Sequence, residues 1–367
     1  MPPMPPVLMD ELVEEVLLRL PPEDPASFVR SSAACKPWRR ILAAPRFRRR
    51  YREFHGTPPV LGFFKEDARF VPTTSTSTFL PVQPRLPSIY SMDSRHGRAL
   101  FADFRGEDSA ELVVLEPITG HQRRVPLPDL LASNFSAAVL CTAQGCDHHG
   151  CQGGHSLVAF VSTDEDRRVT SACLCSPETG AWSRSTILNH PNVESDGATG
   201  VLSVLVGDAL YFNIGGILKY QLGTRCLSIF GKPINSQGCL MTAGNGELGF
   251  AAVVDDATNL TLWSMETGSE GAMGWEKRWV IDLQTLLPDG ALLIRLLERE
   301  ISCSSSTVVS GFAEGTQVIF VSTFVGCYMV DLKSGRARKV SSYSETLYPY
   351  TSFYIPAMEV ASTGQGQ

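Results

Sequence analysis

At 367 residues, with 43% hydrophobic and 19% charged content and a formal net charge of −6, the chain has material for one small module plus a large domain, or for two domains of ordinary size. No stretch reaches the ~18 consecutive apolar residues of a membrane-spanning helix, and the Pro-rich opening 1–6 lacks the apolar core of a signal peptide, so a cytoplasmic or nuclear protein is expected. In such a compartment the ten cysteines are expected to be reduced thiols, mostly small core residues.

The first predicted element is an amphipathic helix. Leu8, Leu12, Val16 and Leu20 fall four apart with Val13 and Leu17 beside them, while Asp10, Glu11, Glu14, Glu15 and Arg19 lie largely elsewhere. Acidic residues crowd its first turns, where the helix dipole favours them, and Pro21-Pro22 end it. Asp24-Pro25 reads as an N-cap with proline at the first helical position, opening a second helix through Phe28, Val29 and Arg30. A third helix carries Trp38, Ile41 and Leu42, and Pro45 marks its end. Three short helices in roughly 45 residues bury too little to be comfortably stable alone. Such a unit is expected to need a partner.

Lys36, Arg39, Arg40, Arg46, Arg48, Arg49, Arg50 and Arg52 put eight basic residues into seventeen positions without an acid. Trp38, Phe47 and Tyr51 among them read as packing residues of short helices, not as a stacking platform, and no nucleic-acid motif accompanies them. The expectation is a solvated basic face, or steering toward an acidic partner, with no nucleic acid bound.

The order of apolar helix, Arg19-Leu20-Pro21, capped helix and Cys35-Lys36-Pro37-Trp38-Arg39 resembles the F-box, the segment that ties a substrate receptor to a cullin-based ubiquitin ligase. The resemblance covers roughly residues 7–52. It implies that Leu8, Leu12, Val16, Leu17, Leu20, Pro21, Phe28, Cys35 and Trp38 pack against a Skp-type adaptor. In one departure, Met9 stands where the F-box pattern has its opening proline; the apolar stripe is left intact.

From about Pro58 onward, helical stripes give way to short runs rich in Val, Ile, Phe, Tyr and Thr, separated by Gly, Asp, Asn and Ser clusters, as in 111–115, 156–162, 201–206, 210–212 and 318–323. This is how antiparallel strands and hairpins read. Five stretches, 114–120, 175–180, 220–225, 263–268 and 330–335, share a strand followed by a turn with glycine. Turn glycines at 120, 180, 223, 268 and 335 give steps of 60, 43, 45 and 67 residues. Two steps match a four-stranded blade, and the longer ones leave room for loops. A ring of such blades protects its strand edges without needing helices, and glycine fits a hairpin geometry that needs a positive φ.

The fold expected is therefore a multidomain α plus all-β chain: a helical module at 1–55, a β-propeller of about six blades at 56–360, and a disordered tail at 361–367. A degenerate repeat around 61–104 supplies the sixth blade; seven blades or an irregular ring stay open. The stretch 326–336 also resembles the kelch-like propellers that follow the F-box in many plant proteins, and 350–361 resembles their closing segment.

Cys141, Cys146, His148, His149, Cys151 and His155 lie within fifteen residues, and sulfur with imidazole suits zinc. No C-x-x-C pair is present, however, and Gly145, Gly150, Gly153 and Gly154 suggest an exposed loop; no metal and no cofactor are expected. Cys173 and Cys175, two apart on a strand, face one side and read as core thiols. No nucleophile elbow, phosphate-binding glycine loop or zinc-protease helix appears. His96 and His190 stand alone, and Asp255-Asp256 has no visible catalytic partner. Trp182, Trp275 and Trp279 read first as blade-packing residues, with a binding role as the alternative.

The resemblance implies a substrate-recognition subunit of an SCF-type cullin-RING ubiquitin ligase, not an enzyme in itself. It would bind the Skp-type adaptor through the helices and a target protein through propeller loops, among them 107–111, 141–155, 193–200 and 255–259. Two alternatives stand beside it: a propeller interaction protein outside a ligase, and a metal-dependent or galactose-oxidase-like propeller enzyme.

Overall fold

The computed structural model describes residues 9–74, 81–82, 88–104, 110–128, 134–142, 148, 155–190, 202–254, 258–267, 273–292, 307–342 and 346–354. Four helices come first: α1 (Asp10–Leu17), α2 (Pro25–Ala34), α3 (Lys36–Ala43) and α4 (Pro45–His55). Proline occupies the first or second position of α2, α3 and α4, where its missing N–H costs no hydrogen bond. Pro45 therefore both ends α3 and opens α4, a helix that the sequence reading stopped short of. Val13, Leu17, Leu18, Phe28, Leu42, Phe47 and Tyr51 form the core of this module. Tyr51 organises it. Its ring meets Phe28 edge-on at 5.2 Å and stacks on Phe47 at 5.8 Å, while its hydroxyl donates to the Leu20 carbonyl at 2.7 Å.

The remaining chain is a ring of six sheets. Strands β1 (Val60–Lys65) and β2 (Phe70–Pro72) come first. The first complete blade then follows as β3 (Ile89–Arg95), β4 (Arg98–Asp103), β5 (Glu111–Leu115) and β6 (Gln122–Pro126). The second is β7 (Asn134–Cys141), β8 (Ser156–Asp164), β9 (Val169–Ser176) and an outer strand in two pieces, β10 (Ala181–Trp182) and β11 (Thr186–Asn189), both paired with β9. The third is β12 (Ser203–Val206), β13 (Ala209–Asn213), β14 (Ile217–Gln221) and β15 (Cys226–Phe230). The fourth is β16 (Cys239–Thr242), β17 (Leu248–Val254), β18 (Asn259–Thr267) and β19 (Met273–Asp282), followed by the short helix α5 (Leu283–Leu286). The fifth is β20 (Val308–Ala313), β21 (Val318–Thr323), β22 (Gly326–Asp331) and β23 (Arg336–Ser341). Strand β24 (Leu347–Thr351) closes the ring by pairing antiparallel with β1, giving a three-stranded sixth blade in the order β2-β1-β24.

The six-bladed expectation holds, with one correction. The stretch 61–104 is not a blade of its own. Its first part joins β24 from the far end of the chain, and its second part opens the blade that continues through Glu111–Leu115. Adjacent blades share apolar cores; Leu100, Leu112 and Val114 of the first, for example, pack with Val139, Phe160, Cys173 and Cys175 of the second. Cys173 and Cys175 thus lie on one buried face as expected, and burial pushes their thiols up to about 12 and about 11.

Four of the repeated glycines, Gly120, Gly180, Gly223 and Gly335, mark one structural position, the hairpin between the third and fourth strands of a blade. Gly120, Gly180 and Gly335 take positive φ there, while Gly268 lies outside the described residues. Gly223 is different: Arg225 carries the positive φ of that turn. At 223 a Cβ would sit 2.7 Å from Asp208 Oδ2, which accepts the Gly223 N–H at 3.1 Å, so a larger residue there would displace the Asp208 carboxylate.

Antiparallel alternation places the first-to-second and third-to-fourth turns of every blade on one face, and the second-to-third turns and interblade links on the other. Helix α4 leads into β1, the second strand of its blade. The helical module therefore joins the ring at the face of the glycine hairpins. Among the described residues no helix is long and apolar enough to cross a membrane.

Candidate functional site

The helical period divides α1 into two apolar sides. Val13, Leu17 and Leu18 are buried in the module, whereas Met9, Leu12 and Val16 are 64%, 49% and 58% exposed. These three lie one helical turn apart and make a continuous uncovered stripe. Met9 takes the N-cap position with extended backbone and no side-chain cap; its carbonyl accepts the N–H groups of Leu12 and Val13.

The other residues that the F-box resemblance implicates divide the same way. Pro21 and Cys35 are exposed, Leu20 and Trp38 are half-buried against the module core, and Phe28 is completely buried in that core beside Leu17. Leu8 lies outside the described residues. Leu17 and Phe28 thus already face the module's own interior, and Val29, which the sequence reading passed over, adds to the exposed apolar residues.

The basic run also splits. Lys36, Arg39, Arg40, Arg46 and Arg49 are exposed, while Arg50 turns back onto α1 and bonds Glu14 at 2.6 Å and Glu15 at 2.5 Å. The bond from Arg50, then that from Arg19, hold the Glu15 carboxyl below its ordinary range.

A second constellation occupies the axis of the ring. Arg95, 2% exposed, grips Asp93, 6% exposed, through Nε–Oδ2 at 2.9 Å and Nη2–Oδ1 at 3.1 Å. The same guanidinium reaches the Ser203 carbonyl and hydroxyl on the third blade at 2.8 and 2.6 Å, and approaches Glu314 after the first strand of the fifth blade at 3.4 Å. Asp93 in turn accepts the Val139 N–H of the second blade at 2.8 Å. One ionic knot therefore ties four blades across the channel, and Leu202, Val204, Leu240, Phe312 and Tyr348 line the narrow cavity beside it. Burial raises the Glu314 carboxyl although Arg95 opposes the shift.

The remaining chemical candidates have structural surroundings. His190 is buried with its Nε2 3.0 Å from Thr170 Oγ1. His96 Nδ1 accepts the Cys141 N–H at 3.2 Å, and its ring stacks on His148 at 4.1 Å. Burial, then Arg95, depress the His96 imidazole to about 2, so it is neutral. His155 is exposed and lies 3.6 Å from Glu178. Among the described residues no three metal-ligating side chains gather; Cys146, His149, Cys151, Asp255 and Asp256 fall outside them.

Two of the three tryptophans act as interblade clamps. Trp182 donates its indole N–H to the Pro126 carbonyl at the end of the preceding blade's outer strand, and Trp275 donates to the Gly231 carbonyl just after that of its own preceding blade, each at 2.9 Å. Trp279 is exposed. The described strand ends that flank 107–111, 193–200 and 255–259 lie on the face opposite the helical module, whereas those that flank 141–155, a first and a second strand, lie on the module's own face. Most residues of these four candidate loops lie outside the described ones. On the opposite face the structure adds an aromatic row that the sequence reading missed: Tyr90, Phe104 and Phe135, with rings 5.9 and 6.1 Å apart. Tyr90 and Phe104 are exposed. The signal was available as aromatics at strand ends, but ordinary strand composition hid it.

No family model matches the chain, and no curated protein matches it in sequence. Among solved structures, the chain is similar to TolB from Acinetobacter baumannii, at 13% identity and a TM-score of 0.36 over 81% of this chain and 68% of that one. It is also similar to a protein from Lactobacillus plantarum, at 12% identity and 0.42 over 77% and 81%. A third likeness is to the Penicillium chrysogenum α-L-arabinanase complexed with arabinobiose, at 10% identity and 0.36 over 80% and 89%. The six-bladed assignment rests on this chain's own strand pairing.

Proposed function

We propose that this chain is the substrate-recognition subunit of an SCF-type cullin-RING ubiquitin ligase, an F-box protein with a kelch-like propeller of the kind found in plants, working in the cytoplasm or nucleus. The observation that carries the reading is the uncovered stripe Met9, Leu12 and Val16 on a helix whose other side is fully packed. Burying one such side chain completely is worth about 1.5–3 kcal/mol, so a partner that covered all three would gain a substantial anchor. A Skp-type adaptor is the partner that the resemblance names. Lys36, Arg39 and Arg40 would steer an acidic partner toward the module.

In this reading the chain performs no bond chemistry. It holds a target so that the target's lysines stay at high effective concentration near a ubiquitin-conjugating enzyme brought by the rest of the assembly. The target would dock on the face opposite the helical module, where three of the four candidate loops are anchored and where Tyr90 and Phe104 are exposed.

The test is adaptor pull-down with Leu12→Asp and Val16→Asp, each placing a carboxylate in the stripe without touching the core. Binding is expected to vanish while circular dichroism stays unchanged, and a cullin is expected to co-purify with the unaltered chain. Retained binding in both variants would overturn the adaptor assignment. Adaptor capture without a cullin would instead favour an interaction protein outside a ligase.

A further inference from the structure

The helical module does not complete its own core. Phe353, two residues beyond the closing strand β24, is 8% exposed, belongs to the cluster formed by Val13, Leu17, Leu18, Phe28, Leu42, Phe47 and Tyr51, and meets the Tyr51 ring edge-on at 5.9 Å. The link is short on both sides. Ser352 N–H donates to the Pro59 carbonyl at 3.3 Å, and Thr351 pairs with Val60 at the start of β1, just after the helix cap at Gly56. The chain entering the ring and the chain leaving it thus run side by side, and the outgoing one brings Phe353 to the helices.

We infer that Phe353 is a positioning residue that couples closure of the ring to packing of the docking helix α1. Strand β24 leaves β1 only if Phe353 leaves Tyr51, so opening of the sixth blade loosens the core on which Val13 and Leu17 rest. Coupling of this kind is reciprocal. Whatever covers the outer stripe of α1 stabilises ring closure, and whatever tightens the ring stiffens α1. The coupling is a property of the chain alone, so its test needs no adaptor and stands apart from the ligase reading.

Hydrogen–deuterium exchange on the full-length chain tests it. Phe353→Ala is expected to speed exchange about ten-fold at residues 13–18 and 47–55, in keeping with coupling between side chains in contact. It should also speed exchange at 60–65 and 347–351, while 156–176 in the second blade stays protected. Phe353→Leu should restore most of the protection. From the other side, Tyr51→Leu should speed exchange at 347–351 although it alters no strand. Unchanged helices in Phe353→Ala, or an effect of Tyr51→Leu confined to the helices, would overturn the coupling. Should Phe353→Ala fail to fold, Tyr51→Leu decides the matter by the same criterion.

Discussion

The ring and the helical module treat polarity in opposite ways. At its axis the ring buries Asp93 and Arg95 with Glu314 beside them, whereas the module, with its many charges on the surface, leaves Met9, Leu12 and Val16 uncovered. Size explains the contrast. Six blades bury apolar side chains between each pair of neighbours, enough to offset the desolvation of an ionic knot. Four short helices have one small core, and α1 has two apolar sides. One side stays outside, and the partner question attaches to it.

The largest loss is expected from Arg95→Met, which strands the carboxylates of Asp93 and Glu314 in the channel. Removing one member of a buried ionic group costs about 3–5 kcal/mol, and a urea titration should show that loss in a single transition. A loss below about 1 kcal/mol, the range of exposed pairs, would mean that the knot is incidental to closure.

Next come the clamps. Trp275→Phe keeps a ring near Phe250 but removes the donor to Gly231; a drop of about 0.5–1.5 kcal/mol in a urea titration is expected for a hydrogen bond of this type. The same change at the exposed Trp279, tested by the same titration, should have little effect.

Acid probes the channel rim. The folded His96 value of about 2 lies below the ordinary 6.5, so between those values the unfolded chain binds a proton that the folded chain does not. Stability from this group is complete above the unfolded value and is lost as pH falls below it, with a slope of at most about 1.4 kcal/mol per pH unit. His96→Asn, which tolerates the positive φ at this position, should flatten stability measured between pH 6.5 and 4.5.

Leu12→Asp should change stability by about 0.5 kcal/mol or less, as exposed substitutions do, whereas Leu17→Asp should unfold the helical module. Equal losses would show that the outer stripe is covered by the chain itself.

Local patterns carried the fold far. The Pro25 start and the hairpin glycines at 120, 180, 223 and 335 are signals written within a few residues, and each falls in the boundary or turn it marks, whereas α1 ends at Leu17, a turn before the Pro21 that its pattern pointed to. What the sequence hid is non-local. Pro45 looked like an end because a proline that opens the next helix has the same immediate surroundings. The sixth blade was misplaced because β24 and β1 pair across the length of the ring, and no periodicity links 347–351 to 60–65. The axial knot was invisible for the same reason: Asp93 and Arg95 are neighbours in sequence, but Ser203 and Glu314 meet them only once the ring exists. For α1 the stripe was legible, yet helical spacing alone did not say which apolar side the module would keep for itself.

On the ribosome the consequence of Phe353 is a matter of order. The four helices leave the exit tunnel before any blade has been made, and the ring that lends them their missing aromatic is finished only with its last strand. Synthesis runs N-terminal first, and domains made early ordinarily fold as units. Here the helices precede every blade and Phe353 follows the strand that closes the ring, so a nascent chain shows its helices without that aromatic ring until the circle is shut.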